Sequence, residues 1–98
     1  MFDLPVETSK QRKAYQMFHK RLVEYGFDML QYSVYSRYCA NITACEKYIH
    51  KVISVKPKEG DIRLLKITEN QFENMIMVLG EKTDRQLLEN DDALVEID

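Results

Sequence analysis

Apolar residues recur at helical spacing in two stretches of the sequence. The first stripe comprises Ala14, Tyr15, Phe18, Leu22 and Tyr25. It predicts a helix over residues 9–25, ended by Gly26 in the left-handed conformation that glycine adopts readily. The second stripe comprises Ala44, Tyr48 and Val52, with Cys45 and Ile49 beside it. It predicts a second helix that stops before Pro57.

A helix-start signal occurs three times along the chain. In the T-x-x-[EQ] capping box, a threonine side chain and the side chain three residues later satisfy free backbone N–H groups at a helix start. The three pairs are Thr8 with Gln11, Thr43 with Glu46, and Thr68 with Gln71. They predict helix starts after Thr8, at Thr43 and after Thr68, where only a short turn over Glu69–Glu73 has room to form.

Strands are predicted between and after these helices. Residues 27–39 are rich in aromatic residues and valine and lack Gly and Pro, so they favour a strand. This stretch is long for one strand, and we expect it to bend near residues 31–33 or to form two strands. Residues 61–68, with apolar side chains on both faces, predict an internal strand. Residues 75–79 and 93–97 predict two more.

The order strand, helix, strand, helix, strand, strand, strand predicts an α+β fold with helices on one face of a sheet. A ferredoxin-like two-layer sandwich fits this order best. Residues 1–80 would form that domain, and residues 81–98 would form an acidic connector and a C-terminal strand. The last strand could complete its own sheet or pair with the edge of a partner sheet.

Charge is distributed unevenly along the 98 residues. Residues 1–58 contain ten Lys and Arg against five Asp and Glu, whereas residues 59–98 contain four against eleven. A basic face is therefore expected despite a net charge of −2. The basic side chains of the first helix and the long strand are Lys10, Arg12, Lys13, Lys20, Arg21 and Arg37. Such side chains either contact phosphates or keep a helix face solvated.

Several classes of function find no support in the residues. No apolar run reaches the ~18 residues of a membrane span, and no secretory signal is visible, so we expect a cytoplasmic protein without membrane contact. Cys39 and Cys45 lack the spacing of a zinc site and are expected to be reduced thiols. His19 and His50 are far apart and have no matching ligands, so no catalytic triad is predicted.

Three segments in a fixed order carry a resemblance. They are FDLP with KQRKAY, then GFDMLQYSVYSRY, then GDIRLLKITENQF. Together they resemble CRISPR-associated protein two, the small subunit of the spacer-acquisition machinery, in the form found beside type II systems. The resemblance covers nearly the whole chain. It implies a ferredoxin-like homodimer whose C-terminal strand reaches the partner sheet.

The resemblance also implies a function in antiviral defence. The dimer would bridge two dimers of the CRISPR integrase subunit and hold double-stranded prespacer DNA for insertion into the repeat array. We expect the acidic residues 81–98 to dock the integrase. Some family members are reported as metal-dependent endonucleases on RNA or DNA, so a Mg²⁺-dependent endoribonuclease, a phosphodiester hydrolase, is the alternative. A metabolite-binding regulatory dimer is a third class, for which the residues offer no ligand constellation.

Asp3 matches the acid at the end of the family's first strand. The resemblance implies that this acid is catalytic and holds Mg²⁺ shared across the dimer. The residues alone also allow Asp3 to complement the first helix dipole or to act as an electrostatic spacer at the dimer axis. Only Glu7 is a second acid nearby in sequence, and one carboxylate is poorly equipped for hydrolysis.

Other positions follow from the same resemblance. Lys10, Arg12, Lys13 and Arg37 are the expected contacts to the nucleic-acid backbone. Ser33 and Tyr35 would lie near the cleft, although strand alternation alone would place Tyr35 in the core or an interface. Family members have several more apolar residues before the acid that matches Asp3. We therefore expect the natural chain to be longer, with Met1 an internal methionine or a mis-set start.

Overall fold

The computed structural model describes residues 1–80 and contains three helices and four short strands within them. In chain order these are β1 (Phe2–Asp3), α1 (Ser9–Glu24), β2 (Asp28–Gln31), β3 (Val34–Ser36), α2 (Ile42–Ser54), β4 (Asp61–Ile62) and α3 (Glu69–Glu73). The chain divides into two compact units, Met1–Leu64 and a second one that begins at Leu65. The presence of both helices and antiparallel strands confirms the α+β class. The ferredoxin-like arrangement stays a prediction. No helix in residues 1–80 has the length and hydropathy to cross a bilayer.

Two antiparallel ladders form the strand structure of the first unit. β1 pairs with β4, so that Phe2 lies opposite Ile62 and Asp3 lies opposite Asp61. β2 pairs with β3, with an irregularity between Met29 and Gln31. The other edge of β1 is used as well, because the Phe2 N–H donates to the Ser33 carbonyl at 3.0 Å. β1 is therefore bonded on both sides.

Local signals determine both ends of α1, as predicted. The Thr8 side chain accepts from the Gln11 N–H at 3.1 Å, and the Gln11 side chain accepts from the Thr8 N–H at 3.0 Å. At the C-terminus, Gly26 has φ +84, and its N–H donates to the Val23 carbonyl. The helix ends at Glu24, one residue earlier than expected.

The predicted start of α2 at the Thr43 capping box is wrong. Asn41 is the N-cap, and its side chain accepts from the Ala44 N–H at 2.8 Å. Asparagine caps helices at least as well as threonine, and it lies two residues earlier, so Thr43 falls within the first turn. The helix ends at Ser54, before Pro57, as expected. The Thr68 capping box is present and starts α3 over the predicted residues.

The strand predictions had mixed outcomes. Residues 27–39 were expected to form either one bent strand or two strands, and they form two short strands. Ser33, with φ +65, lies in the turn between them. Of residues 61–68 only Asp61–Ile62 form a strand. The ladder with β1 ends at the two backbone hydrogen bonds between Arg63 and Met1. Residues 75–79 are not a strand, since the apolar run finds no ladder partner within residues 1–80. The predicted strand 93–97 and the 81–98 segment lie outside the described residues.

The core of the first unit gathers around four buried side chains. These are Leu4, Phe18, Leu22 and Val52, with Phe2, Tyr15, Phe27, Tyr35, Val55 and Ile62 packed against them. The Phe2 ring meets Phe18 edge-on at 5.0 Å between centroids and stacks on Tyr35 at 5.5 Å. Since side chains alternate along a strand, an inward Phe2 turns the neighbouring Asp3 outward.

Candidate functional site

Two aspartates face each other across the β1–β4 ladder. Asp3 and Asp61 are direct partners in the register, and both are exposed. Directly opposed residues of an antiparallel pair project to the same face, with Cα atoms about 4.5–5.5 Å apart. The structure therefore brings a second carboxylate beside Asp3 within the same chain. We call Asp3 and Asp61 the acidic pair.

A glycine allows the two strands of the acidic pair to approach this closely. Gly60 precedes Asp61 and has φ +105. A Cβ atom at this position would lie 2.7 Å from the Asp3 carbonyl oxygen and 2.6 Å from the Leu4 side chain. The Gln11 side chain secures the same turn by donating to Glu59 at 3.1 Å. The acidic pair thus rests on backbone that is tightly packed and tied to the start of α1.

The pair matches the chemistry of a magnesium ligand set. Mg²⁺ is usually held by one or two carboxylates, with waters and substrate phosphates completing the octahedron. Two outward carboxylates on one face supply that number. Within residues 1–80 no group of three His, Cys, Asp or Glu side chains could hold a metal ion. Among these residues, an ion at the acidic pair would therefore have two carboxylate ligands, and waters or phosphates would be the others.

Three lysines of α1 form a separate basic surface. Lys10, Lys13 and Lys20 recur at spacings of three and seven residues and are exposed. Among residues 1–80 none of them has a hydrogen bond or an ion pair with another side chain, whereas Arg21 pairs with Glu24 at 2.9 Å. We call these three residues the lysine stripe. Their ammonium groups are available to solvent and to phosphates.

The two arginines among the predicted backbone contacts already make hydrogen bonds within the protein. Arg12 donates through Nη1 to the Val6 and Glu7 carbonyls, at 3.2 and 2.9 Å. Arg37 donates to the Tyr25 and Tyr38 carbonyls and the Tyr48 hydroxyl, and its guanidinium lies 4.2 Å from the Tyr48 ring centre. Their contact with nucleic acid stays a prediction, whereas their hydrogen bonds within the protein are part of the structure.

The two expected cleft residues lie beside β1 in different ways. Ser33 meets it through its backbone carbonyl, whereas Tyr35 packs its ring on Phe2 and contacts His19 Nδ1 through its hydroxyl. Burial, with the nearby Tyr15, raises the pKa of Tyr35. Tyr35 is therefore half-buried against the core, and Ser33 borders β1, the strand that carries Asp3, through its backbone.

The remaining candidates are two cysteines and two histidines. Cys39 and Cys45 are free thiols, and burial raises the pKa of Cys39. His50 is exposed, and His19 serves as the partner of Tyr35. Asp61 is the residue that sequence reasoning missed. Its only signal was the Gly-Asp step that begins the 61–68 stretch, because the register that places it opposite Asp3 is not readable from a single sequence.

Comparisons with known proteins cover most of the chain. The family model described as CRISPR associated protein Cas2 matches residues 1–75. A protein of Parvibaculum lavamentivorans named CRISPR-associated endoribonuclease Cas2 is 50% identical over 82 residues, which are 84% of this chain and 81% of that protein. A protein of the same name from Streptococcus mutans serotype c (strain NN2025) is 43% identical over 95 residues, 97% of this chain and 88% of that protein.

Proposed function

The chain belongs to the CRISPR-associated protein Cas2 family, and from this premise we propose that it is the nucleic-acid-binding subunit of a CRISPR adaptation complex. As a homodimer it bridges integrase dimers and holds double-stranded prespacer DNA, while the integrase performs the strand transfer. Its contribution is to position the DNA, and correct positioning of the reactants can by itself lower a reaction barrier considerably. Docking of the integrase on residues 81–98 belongs to the same proposal.

The lysine stripe is the observation that supports this proposal. From Lys10 to Lys20 the helix rises about 15 Å, which is the length of several base pairs at ~3.4 Å per phosphate along a strand. Lysine ammonium groups contact phosphates without reading the bases. A row of such groups that are unpaired within residues 1–80 suits a protein that must hold duplexes of any sequence.

Salt dependence of duplex binding tests this assignment. Each phosphate contact releases counterions, so the slope of log K against log salt falls by about one per lysine removed. We expect Lys13→Ala combined with Lys20→Ala to lower the slope by about two per chain. Lys66→Ala, an exposed lysine outside α1, is the matched control and should leave the slope unchanged. An unchanged slope in the double variant would refute the role of the lysine stripe.

A second function is supported by the acidic pair. We propose as the alternative a Mg²⁺-dependent endoribonuclease, which is also the activity in the names of the relatives. Asp3 and Asp61 would hold the ion. When bound there, Mg²⁺ would polarise a phosphodiester and lower the pKa of bound water. Under this proposal each chain would supply two carboxylate ligands, Asp3 and Asp61, and not Asp3 alone.

Cleavage of RNA by the purified protein tests the alternative. Under this proposal cleavage requires Mg²⁺, stops with a chelator, and is lost in both Asp3→Asn and Asp61→Asn. The control is Asp28→Asn, because Asp28 is exposed on β2 and faces Ser36, not a carboxylate, in the β2–β3 ladder. Cleavage that survives both variants would assign the activity to a contaminant or to another site, and the enzyme proposal would be withdrawn.

A further inference from the structure

A cavity of about 290 Å³ lies between the start of α1 and the turn before β4. Its apolar lining is Leu4, Pro5, Ala14, Tyr15 and Pro57. Three lysines, Lys10, Lys56 and Lys58, surround it together with Gln11 and Glu59. All of these residues belong to the first unit, Met1–Leu64. Neither aspartate of the acidic pair lines the cavity, and Lys10 is the one residue that the lining shares with the lysine stripe.

The charges around this cavity are unbalanced. Lys10, Lys56 and Lys58 are exposed, and none has a hydrogen bond or ion pair among residues 1–80. The single carboxylate in the lining, Glu59, already accepts from Gln11 at 3.1 Å. At the start of α1, the capping box satisfies the backbone N–H groups of Thr8 and Gln11. The unpaired charges that an anionic ligand would meet are those of the three lysines.

The apolar lining of the cavity, which we call its floor, suits a planar apolar group. The Tyr15 ring is held in place by stacking on Tyr32 at 5.8 Å and by an edge contact with Phe2 at 5.9 Å. Pro5 and Pro57 contribute rigid apolar surface. A phosphosugar would leave this floor without a partner, and an uncharged aromatic compound would leave the lysines without one.

From this combination we propose that the cavity binds a single nucleotide, with its phosphate among the lysines and its base against the apolar floor. The volume is at the small end of ligand pockets and suits one nucleotide and not a length of chain. A paired base is stacked inside its duplex and cannot reach the floor, whereas an unpaired one can. The nucleotide is either free or the 5′-phosphorylated, unpaired end of a strand.

Binding of nucleoside monophosphates to the purified full chain tests the proposal by titration calorimetry. We expect saturable binding that weakens about tenfold for each lysine removed in Lys56→Ala and Lys58→Ala. Ala14→Leu should abolish binding without a change of charge, because it fills the cavity from a helical position. Lys66→Ala, at an exposed lysine that does not line the cavity, is the matched control and should bind nucleotide as the wild type does. Circular dichroism would confirm that each variant is folded.

Two single-stranded oligonucleotides, one with a 5′-phosphate and one with a 5′-hydroxyl, distinguish the sources of the ligand. Preference for the phosphorylated end, lost in Ala14→Leu, assigns the cavity to strand ends, and equal weak binding of both oligonucleotides assigns it to free nucleotides. Absence of mononucleotide binding at millimolar concentration would overturn the proposal, as would binding that survives Ala14→Leu. Binding of a peptide of residues 81–98 in place of nucleotides would also overturn it. None of these outcomes depends on duplex binding by the lysine stripe.

Discussion

The acidic pair and the lysine stripe differ in how their charged groups are held. Asp3 and Asp61 have short side chains on paired strands, in a register secured by Gly60 and the Phe2 packing. The lysines have long, flexible side chains on the outside of a helix. The first arrangement holds its groups at defined positions, as a small cation requires. The second supplies charge over a length of surface, as the phosphates of any duplex require.

Because of this difference, the two surfaces should tolerate different kinds of substitution. Displacing a carboxylate of the acidic pair by a fraction of an ångström should change its function, whereas moving an ammonium group of the lysine stripe should change little. Conversely, the lysine stripe should respond to ionic strength and to the number of charges.

Gly60→Ala should have the largest effect, because it acts on the backbone under the acidic pair. The φ of +105 is strained for alanine, and the added Cβ would overlap the Asp3 carbonyl oxygen at 2.7 Å. We expect the free energy of unfolding to fall by about 2–4 kcal/mol in a urea titration. Gly26→Ala should cost less, because the atoms nearest to the added Cβ belong to the Arg37 side chain, at 3.0 Å or more, and not to the backbone. Equal losses in both variants would contradict the tight packing at Gly60.

Conservative substitutions should separate the two surfaces directly. Asp61→Glu keeps the charge and extends the side chain by one methylene, so it should weaken Mg²⁺ binding about tenfold, or ~1.4 kcal/mol. Lys13→Arg keeps a cation on the lysine stripe, and we expect it to change duplex affinity less than about twofold. Isothermal titration measures both affinities. Equal tolerance of the two substitutions would show that the acidic pair needs no defined geometry.

Asp61→Asn should have the smallest effect, and its sign is informative. Like charges directly opposite each other destabilise an antiparallel pair by about 0.2–1 kcal/mol. Without a divalent cation the variant should therefore unfold at a slightly higher urea concentration than the wild type. Asp28→Asn, which faces Ser36, should not change the midpoint. A loss of stability in Asp61→Asn would indicate that its carboxylate makes a favourable contact instead.

The sequence was most informative where structure depends on neighbouring residues. The α1 helix follows from its apolar stripe, the Thr8 capping box and Gly26, all of which lie within one local stretch. The same kind of signal failed at α2, because Asn41 and Thr43 are both good caps and only the folded chain selects between them. Helical elements were therefore predictable to within a few residues.

Strands and the acidic pair depended on partners that are distant in sequence. An apolar run such as residues 75–79 is compatible with a strand, but pairing decides whether it becomes one. Asp3 was found through the family resemblance, yet Asp61 becomes its neighbour only through the register of β1 and β4. The lysine-lined cavity likewise lies between the start of α1 and the turn that contains Lys56 and Lys58. No local sequence pattern predicts that these two segments are neighbours.

Prespacer integration with the cognate integrase subunit is the measurement that tests the central claim most directly. It should compare the wild type with Asp3→Ala and with Lys13→Ala combined with Lys20→Ala. We expect the lysine variant, still folded and bound to its integrase, to lose integration at physiological salt while Asp3→Ala retains it. Full integration by the lysine variant together with loss in Asp3→Ala would contradict the account, and it would make the acidic pair the functional centre.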